Sequence, residues 1–131
     1  MMDSALRYRE MEILSMPPAK RLVLVFTHLL VQLRLARRHA EQGEIEQRAQ
    51  RLDRAHEIVV ELLSTLDREA GGELASRLSG LYGWMITELA SLHVRPDLAR
   101  FDVVIRVVTE LHEAWSTIAE SAAVPAAEAA R

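Results

Sequence analysis

Imidazole is the commonest metal ligand and the natural general base near neutral pH, so the five histidines of this chain come first: His28, His39, His56, His93 and His112. A zinc hydrolase needs two histidines flanking a glutamate on one helix, and a ferritin-like di-iron centre needs two Glu-x-x-His units on different helices. Neither pattern occurs. The nearest approach is Asp53 with His56, one turn apart, a spacing common to ordinary surface pairs. There is no cysteine, which removes thiolate nucleophiles, thiolate metal sites and disulfides together. No glycine-rich phosphate loop or Gly-x-Ser-x-Gly elbow is present, and nothing in the spacing gathers a Ser-His-Asp set. Trp84, Trp115 and Tyr82 fall on or beside apolar helix faces and read as packing residues. The pattern predicts a protein without catalytic residues, metal or cofactor.

Charge narrows the partners. Sixteen Lys and Arg stand against nineteen Asp and Glu, a net charge of -3, and such a field repels a phosphate backbone. All the basic residues but Lys20 are arginines, spread along the chain between glutamates, as on a solvated helix surface. Nucleic acid is therefore not an expected partner. Asp3, Arg7, Arg9, Glu10 and Glu12 crowd the first dozen residues, and the longest unbroken apolar run is Leu22 to Phe26, so neither a leader peptide nor a membrane span is predicted.

The elements that hold these side chains are read from periodicity. The chain has 131 residues, half of them hydrophobic, about one domain's worth of core. Its few glycines and prolines mark the ends of four long segments. The first opens after Ser15, with Pro17 and Pro18 in a first turn whose amides lack partners anyway, and runs to about Gln42, where Gly43 stops it. The second runs from Glu44 to about Glu69, with Ile45, Leu52, Val59 and Leu66 at heptad spacing, and ends at Gly71 and Gly72. The third, from Glu73 to about Val94, repeats Leu74, Leu78, Leu81, Met85, Leu89 and Leu92. Pro96 closes it. Asp97 caps the fourth, which carries Leu98, Phe101, Ile105, Val108, Leu111 and Trp115 to about Glu120. Short joints between long helices predict an all-α, antiparallel up-down-up-down four-helix bundle over residues 17–120. Residues 1–16 read as an N-terminal capping segment and 121–131 as a flexible Ala-rich tail.

Two helices carry more apolar surface than a bundle needs. On the first, Leu22, Val25, Phe26, Leu29, Leu33, Ala36 and Ala40 form the core face, yet Leu24, Val31 and Leu35, with His28 among them, lie on the opposite side. Leaving three such side chains in water forgoes about 5 to 9 kcal/mol. The apolar arc of the fourth runs from Val103 and Val107 round to Ile105 and His112, about twice the usual width. This surplus predicts a groove for another helical or extended segment. Two other occupants compete: the chain's own first residues, through Leu6, Tyr8, Met11, Ile13 and Leu14, and a second copy of the chain.

The landmarks taken in order resemble those of the flagellar secretion chaperone FliS family. Tyr8, Ile13, Ser15-Met16-Pro17-Pro18, the Leu22 to Phe26 run, Ala36 and Gly43-Glu44-Ile45-Glu46 follow the family's opening. Leu62-Leu63, Leu66-Asp67, Gly71-Gly72-Glu73-Leu74, Leu78, Leu81-Tyr82, Met85, Leu89, Leu111 and Ala114-Trp115 follow its later course, so the resemblance covers residues 8 to 118. It implies a cytosolic chaperone that holds the disordered C-terminal region of flagellin, prevents premature polymerisation and assists delivery to the flagellar type III export gate, with an anti-sigma factor as a further partner. It also implies that Tyr8 and Ile13 match a cap over the client groove, whose walls here are Leu24, Val31, Leu35, Val103 and Val107. Three departures bear on the client: Ser15-Met16-Pro17-Pro18 replaces Thr-Ala-Ser-Pro, Phe26-Thr27-His28 replaces Tyr-Asp-Gly, and Leu92-His93 replaces Ala-Asn. The alternative is a homodimeric helical adaptor whose stripe is covered by its own copy.

Overall fold

The computed structural model describes Ser4, Arg7 and residues 18–129, with side chains throughout except at 68 and 122–129. Four helices account for almost all of it: α1 (Pro18–Glu41), α2 (Ile45–Ser64), α3 (Arg68–Val94) and α4 (Leu98–Ala129). There is no strand among the described residues. The chain divides into two compact units, one of residues 1–27 with 109–131 and one of residues 28–108. The second contains α2, α3 and the adjoining parts of α1 and α4.

The joints are built from the residues that local chemistry singles out. α1 ends in a Schellman motif: Gly43 takes φ 73°, Glu44 N donates to His39 O at 2.8 Å, and Gly43 N donates to Ala40 O at 3.2 Å. Asp97 caps α4, its carboxylate accepting from Ala99 N at 3.0 Å. The joint between α2 and α3 differs from the sequence expectation. α2 stops at Ser64, not near Glu69, because Ser64 and Thr65 bond back to Glu61 O at 2.9 and 3.0 Å, and Asp67 then caps a new turn by accepting from Ala70 N at 3.0 Å. Gly71 and Gly72 therefore lie inside α3, where Gly72 (φ 54°, ψ -132°) kinks it. The helical backbone of α4 also continues past Glu120 to Ala129, as the high helix propensity of alanine allows without any apolar period.

Within the unit of residues 28–108, each helix is tied to two neighbours. Arg51 donates to Gln32 (3.3 Å) and His39 meets Glu44 (3.0 Å) across α1 and α2, indices falling on one helix as they rise on the other, which is antiparallel pairing. Arg48 donates to His93 O (3.2 Å) between α2 and α3, Arg100 to Glu88 (2.9 Å) between α4 and α3, and Arg37 to Asp102 (2.6 Å) between α1 and α4. These bonds close a ring of four. Each of the three joints has three residues, a reach of about 10 Å, whereas a return to the far end of a helix needs about 30 Å or more. Each helix must therefore reverse on its predecessor.

Inside the ring lie Leu29, Leu33 and Ala36 of α1, Leu52, Ala55, Val59 and Leu62 of α2, Leu78, Tyr82, Met85, Leu89 and Leu92 of α3, and Phe101, Val104 and Val108 of α4, all buried. Two expected core residues are not there. Ile45 is 66% exposed because it opens α2, ahead of the first full turn, and Leu74 is 60% exposed beside the Gly72 kink. Two polar side chains are buried in their stead, Gln32 and Arg48.

Candidate functional site

Apolar residues left outside the core are the site candidates. In the unit of residues 1–27 and 109–131, Phe26 is buried while Leu24 on the same helix is 45% exposed. Beside them Thr27 donates to Val23 O at 2.8 Å, which uses its one hydroxyl proton, so the 2.8 Å contact with His112 is His112 Nε2-H donating to Thr27 Oγ1. His112 is thus a packing residue held by a threonine. Ile118, on α4, is exposed as well.

In the unit of residues 28–108, Val31 is 45% exposed and Leu35 half-buried on α1, and Val103 is 39% exposed and Val107 half-buried on α4. The ring bonds show which way each faces. On α1, Gln32 and His39 mark the side toward α2 and Arg37 the side toward α4. At 100° per residue Leu35 falls on the α2 side, and Val31 points almost straight away from the core, leaning the same way. On α4, Arg100 marks the side toward α3 and Asp102 the side toward α1. Val103 and Val107 fall on the α3 side. Half-buried Trp84, one turn before Glu88 on α3, shares that flank.

The expected groove draws on both helices, and their apolar residues face different neighbours. Between α1 and α4 runs an ion pair, Arg37 donating to Asp102 at 2.6 Å, and Arg37 also donates to Glu41 at 3.3 Å. These carboxylates, Asp102 first, raise the Arg37 pKa above its ordinary value. The two apolar surfaces lie on different flanks of the ring. Tyr8 and Ile13, the expected cap residues, lie outside the described residues.

The other chemistry is modest. Asp53 does not pair with His56 one turn away but with His93 Nε2 on the neighbouring α3, at 3.1 Å. Asp53, His56 and His93 line a shallow cavity of about 210 Å³ with Leu89 and Ala90. Among the described residues no three His, Cys, Asp or Glu side chains converge to hold a metal ion. Also among them, no helix is long and apolar enough to cross a membrane. The sequence reading missed Arg34 and Arg38, exposed on the outer face of α1 beside Val31. The same helical wheel that found Val31 places them there; counting arginines along the chain, interleaved with glutamates, concealed it.

Comparison with known proteins agrees with this architecture. The model of the family described as flagellar protein FliS matches residues 1–122. The flagellar secretion chaperone FliS of Salmonella typhimurium is 32% identical over 114 residues, covering 86% of this chain and 84% of its own. That of Campylobacter jejuni is 35% identical over 101 residues, 77% of this chain and 79% of its own. The match to the Vibrio cholerae protein of the same name, 33% identical, spans 78 residues, 60% of this chain and 57% of that one. A crystal structure of a flagellar chaperone from bacteria superposes with a TM-score of 0.76 at 19% identity, over 92% of this chain and 98% of that chain, which shows the shared fold. With an all-helical ring that leaves apolar flanks bare and a family match along nearly its whole length, the chain belongs to the FliS family of flagellar secretion chaperones.

Proposed function

We propose that this chain is a cytosolic export chaperone for flagellin: it binds the disordered C-terminal region of that protein, keeps it from polymerising and passes it to the flagellar type III export gate. The observation that carries the reading is the exposure of Leu24, Val31 and Val103 on helices that bury Phe26, Leu29, Leu33, Phe101, Val104 and Val108 on their other side. A chaperone for a disordered segment gains from such residues, because the client must order itself at a cost of about 2 to 5 kcal/mol and needs apolar contact along its length to offset it. Val31 and Leu35 form one stretch of the track and Val103 and Val107, with Trp84, another, while Leu24 is an apolar contact of the other unit. Residues 1–16 act as a displaceable cap through Tyr8 and Ile13. An anti-sigma factor is a second client in the same reading. The protein works by binding and carries out no reaction of its own.

The test is isothermal titration of the protein with the C-terminal segment of flagellin from the same organism, with circular dichroism of the mixture. One-to-one binding with a gain of helix is expected, and tighter binding after deletion of residues 1–16. Absence of both heat and added helix, with a dimer in sedimentation equilibrium, would instead establish the self-associating adaptor.

A further inference from the structure

We propose that the outer face of α1 from Val31 to Arg38 docks an amphipathic helical segment bearing carboxylates, with Arg34 and Arg38 pairing its acidic side chains while Val31 and Leu35 take up its apolar ones. The proposal rests on the reading of this face as a client surface and adds the chemistry of the segment that lies there.

The four residues stand at i, i+3, i+4 and i+7, so they occupy an arc of about 100° on the side of α1 opposite its core face. Three arginines follow one another closely on this helix, and the structure treats them differently. Arg37 turns to α4 and takes both carboxylates within reach, Asp102 at 2.6 Å and Glu41 at 3.3 Å. Arg34 and Arg38 are exposed, with no hydrogen bond or ion pair to a described residue. Across the α2 side the next cation, Arg51, reaches an amide and no carboxylate, donating to Gln32 Oε1 at 3.3 Å. A chain of net charge -3 has thus placed two unneutralised guanidinium groups one turn apart beside an exposed valine and a half-buried leucine. Guanidinium groups favour planar bidentate pairing with carboxylates. Their one-turn separation matches acidic residues one turn apart on an opposing helix. Val31 and Leu35 then supply the apolar contact that a charge pair alone lacks. An anionic bilayer fits less well, since a surface-lying helix inserts a broad apolar face and this one offers two modest side chains, one of them half-buried.

The experiment uses the full chain and three probes: the flagellin C-terminal segment, a designed Leu/Glu amphipathic peptide with glutamates one turn apart, and its Glu-to-Gln twin. The Glu peptide is expected to bind roughly twofold to thirtyfold more tightly than the Gln twin, the range two partly exposed charge pairs supply. The double variant Arg34→Gln/Arg38→Gln should remove that difference, while Arg95→Gln, another exposed arginine, should leave it intact. The difference should also vanish in 1 M NaCl. Equal binding of the two peptides, no response to Arg34→Gln/Arg38→Gln, or no binding of either peptide overturns the proposal. So does uptake by phosphatidylglycerol vesicles that depends on the two arginines when the peptides do not bind, since the partner is then a lipid surface. The flagellin segment separates the two readings: if it fails to bind while the Glu peptide binds through the arginines, the export-chaperone reading falls and the docking surface stands. If it binds but the arginine variant makes no difference to any probe, the reverse holds.

Discussion

The double substitution Leu24→Glu/Val31→Glu tests the client surface without disturbing the fold. Both side chains are 45% exposed, so roughly that share of the 1.5 to 3 kcal/mol of full burial remains for a partner to collect, about 0.7 to 1.4 kcal/mol each. Losing both contacts weakens client binding by about 1.4 to 2.7 kcal/mol, or roughly tenfold to a hundredfold. Two carboxylates left facing an apolar client without partners deepen the loss beyond that. The folded chain itself loses little, because substitutions on an exposed face stay within about 0.5 kcal/mol each. The assay pairs titration calorimetry with the flagellin segment and thermal unfolding by circular dichroism. Wild-type helicity and melting with at least a tenfold rise in Kd is the expected result. Client affinity within threefold of wild type, with the fold intact, would refute the assignment of this face.

Three further outcomes follow from individual residues. Gly72 at φ 54° and ψ -132° occupies a region closed to residues with a Cβ, so Gly72→Ala should destabilise the chain by about 1 to 3 kcal/mol in denaturant titration. Gly71→Ala should act similarly, since its Cβ would come 2.5 Å from that of buried Ala75; a neutral result for both would mean that the kink is not needed. Arg48 is buried with its Nε unpartnered and one bond to His93 O, so Arg48→Met should be neutral or stabilising by about 1 kcal/mol. A clear loss of stability would show that its cap on the end of α3 outweighs the buried charge. Burial of Tyr82 raises its pKa above the ordinary 10.0. The folded state therefore holds that proton more tightly than the unfolded one, and the associated stability is complete below pH 10 and falls as pH rises beyond it. Tyr82→Phe should flatten this alkaline decline in melting temperature, whereas an unchanged slope would place its origin elsewhere.

The four helices were legible in the residues because their signals are local. Gly43 after the first apolar period, Asp97 after Pro96, and the stripes through Leu29, Leu52, Met85 and Phe101 each act within a turn or two of chain, and the structure has them where the spacing put them. The surplus on α1 was legible for the same reason: a helix is rigid enough that opposition to the core can be computed from spacing alone. The end of α2 was not, because Ser64, Thr65 and Asp67 compete with a pair of glycines for the same joint, and hydrogen bonds to Glu61 O and Ala70 N decided it.

What spacing cannot supply is the azimuth of one helix relative to another. A wheel says that Val31 opposes Leu29 and that Val103 opposes Phe101, but not which neighbour stands to either side. Only the ring of bonds among Gln32, Arg51, Asp53, His93, Glu88, Arg100, Arg37 and Asp102 places the α1 surface toward α2 and the α4 surface toward α3. The same packing buried Arg48 and Gln32, which look like surface residues in the sequence, and left Ile45 and Leu74 in water. Sequence by itself determined the helices and their apolar faces, since backbone geometry within a helix is periodic; tertiary structure decided which faces meet, because burial depends on what the rest of the chain brings alongside.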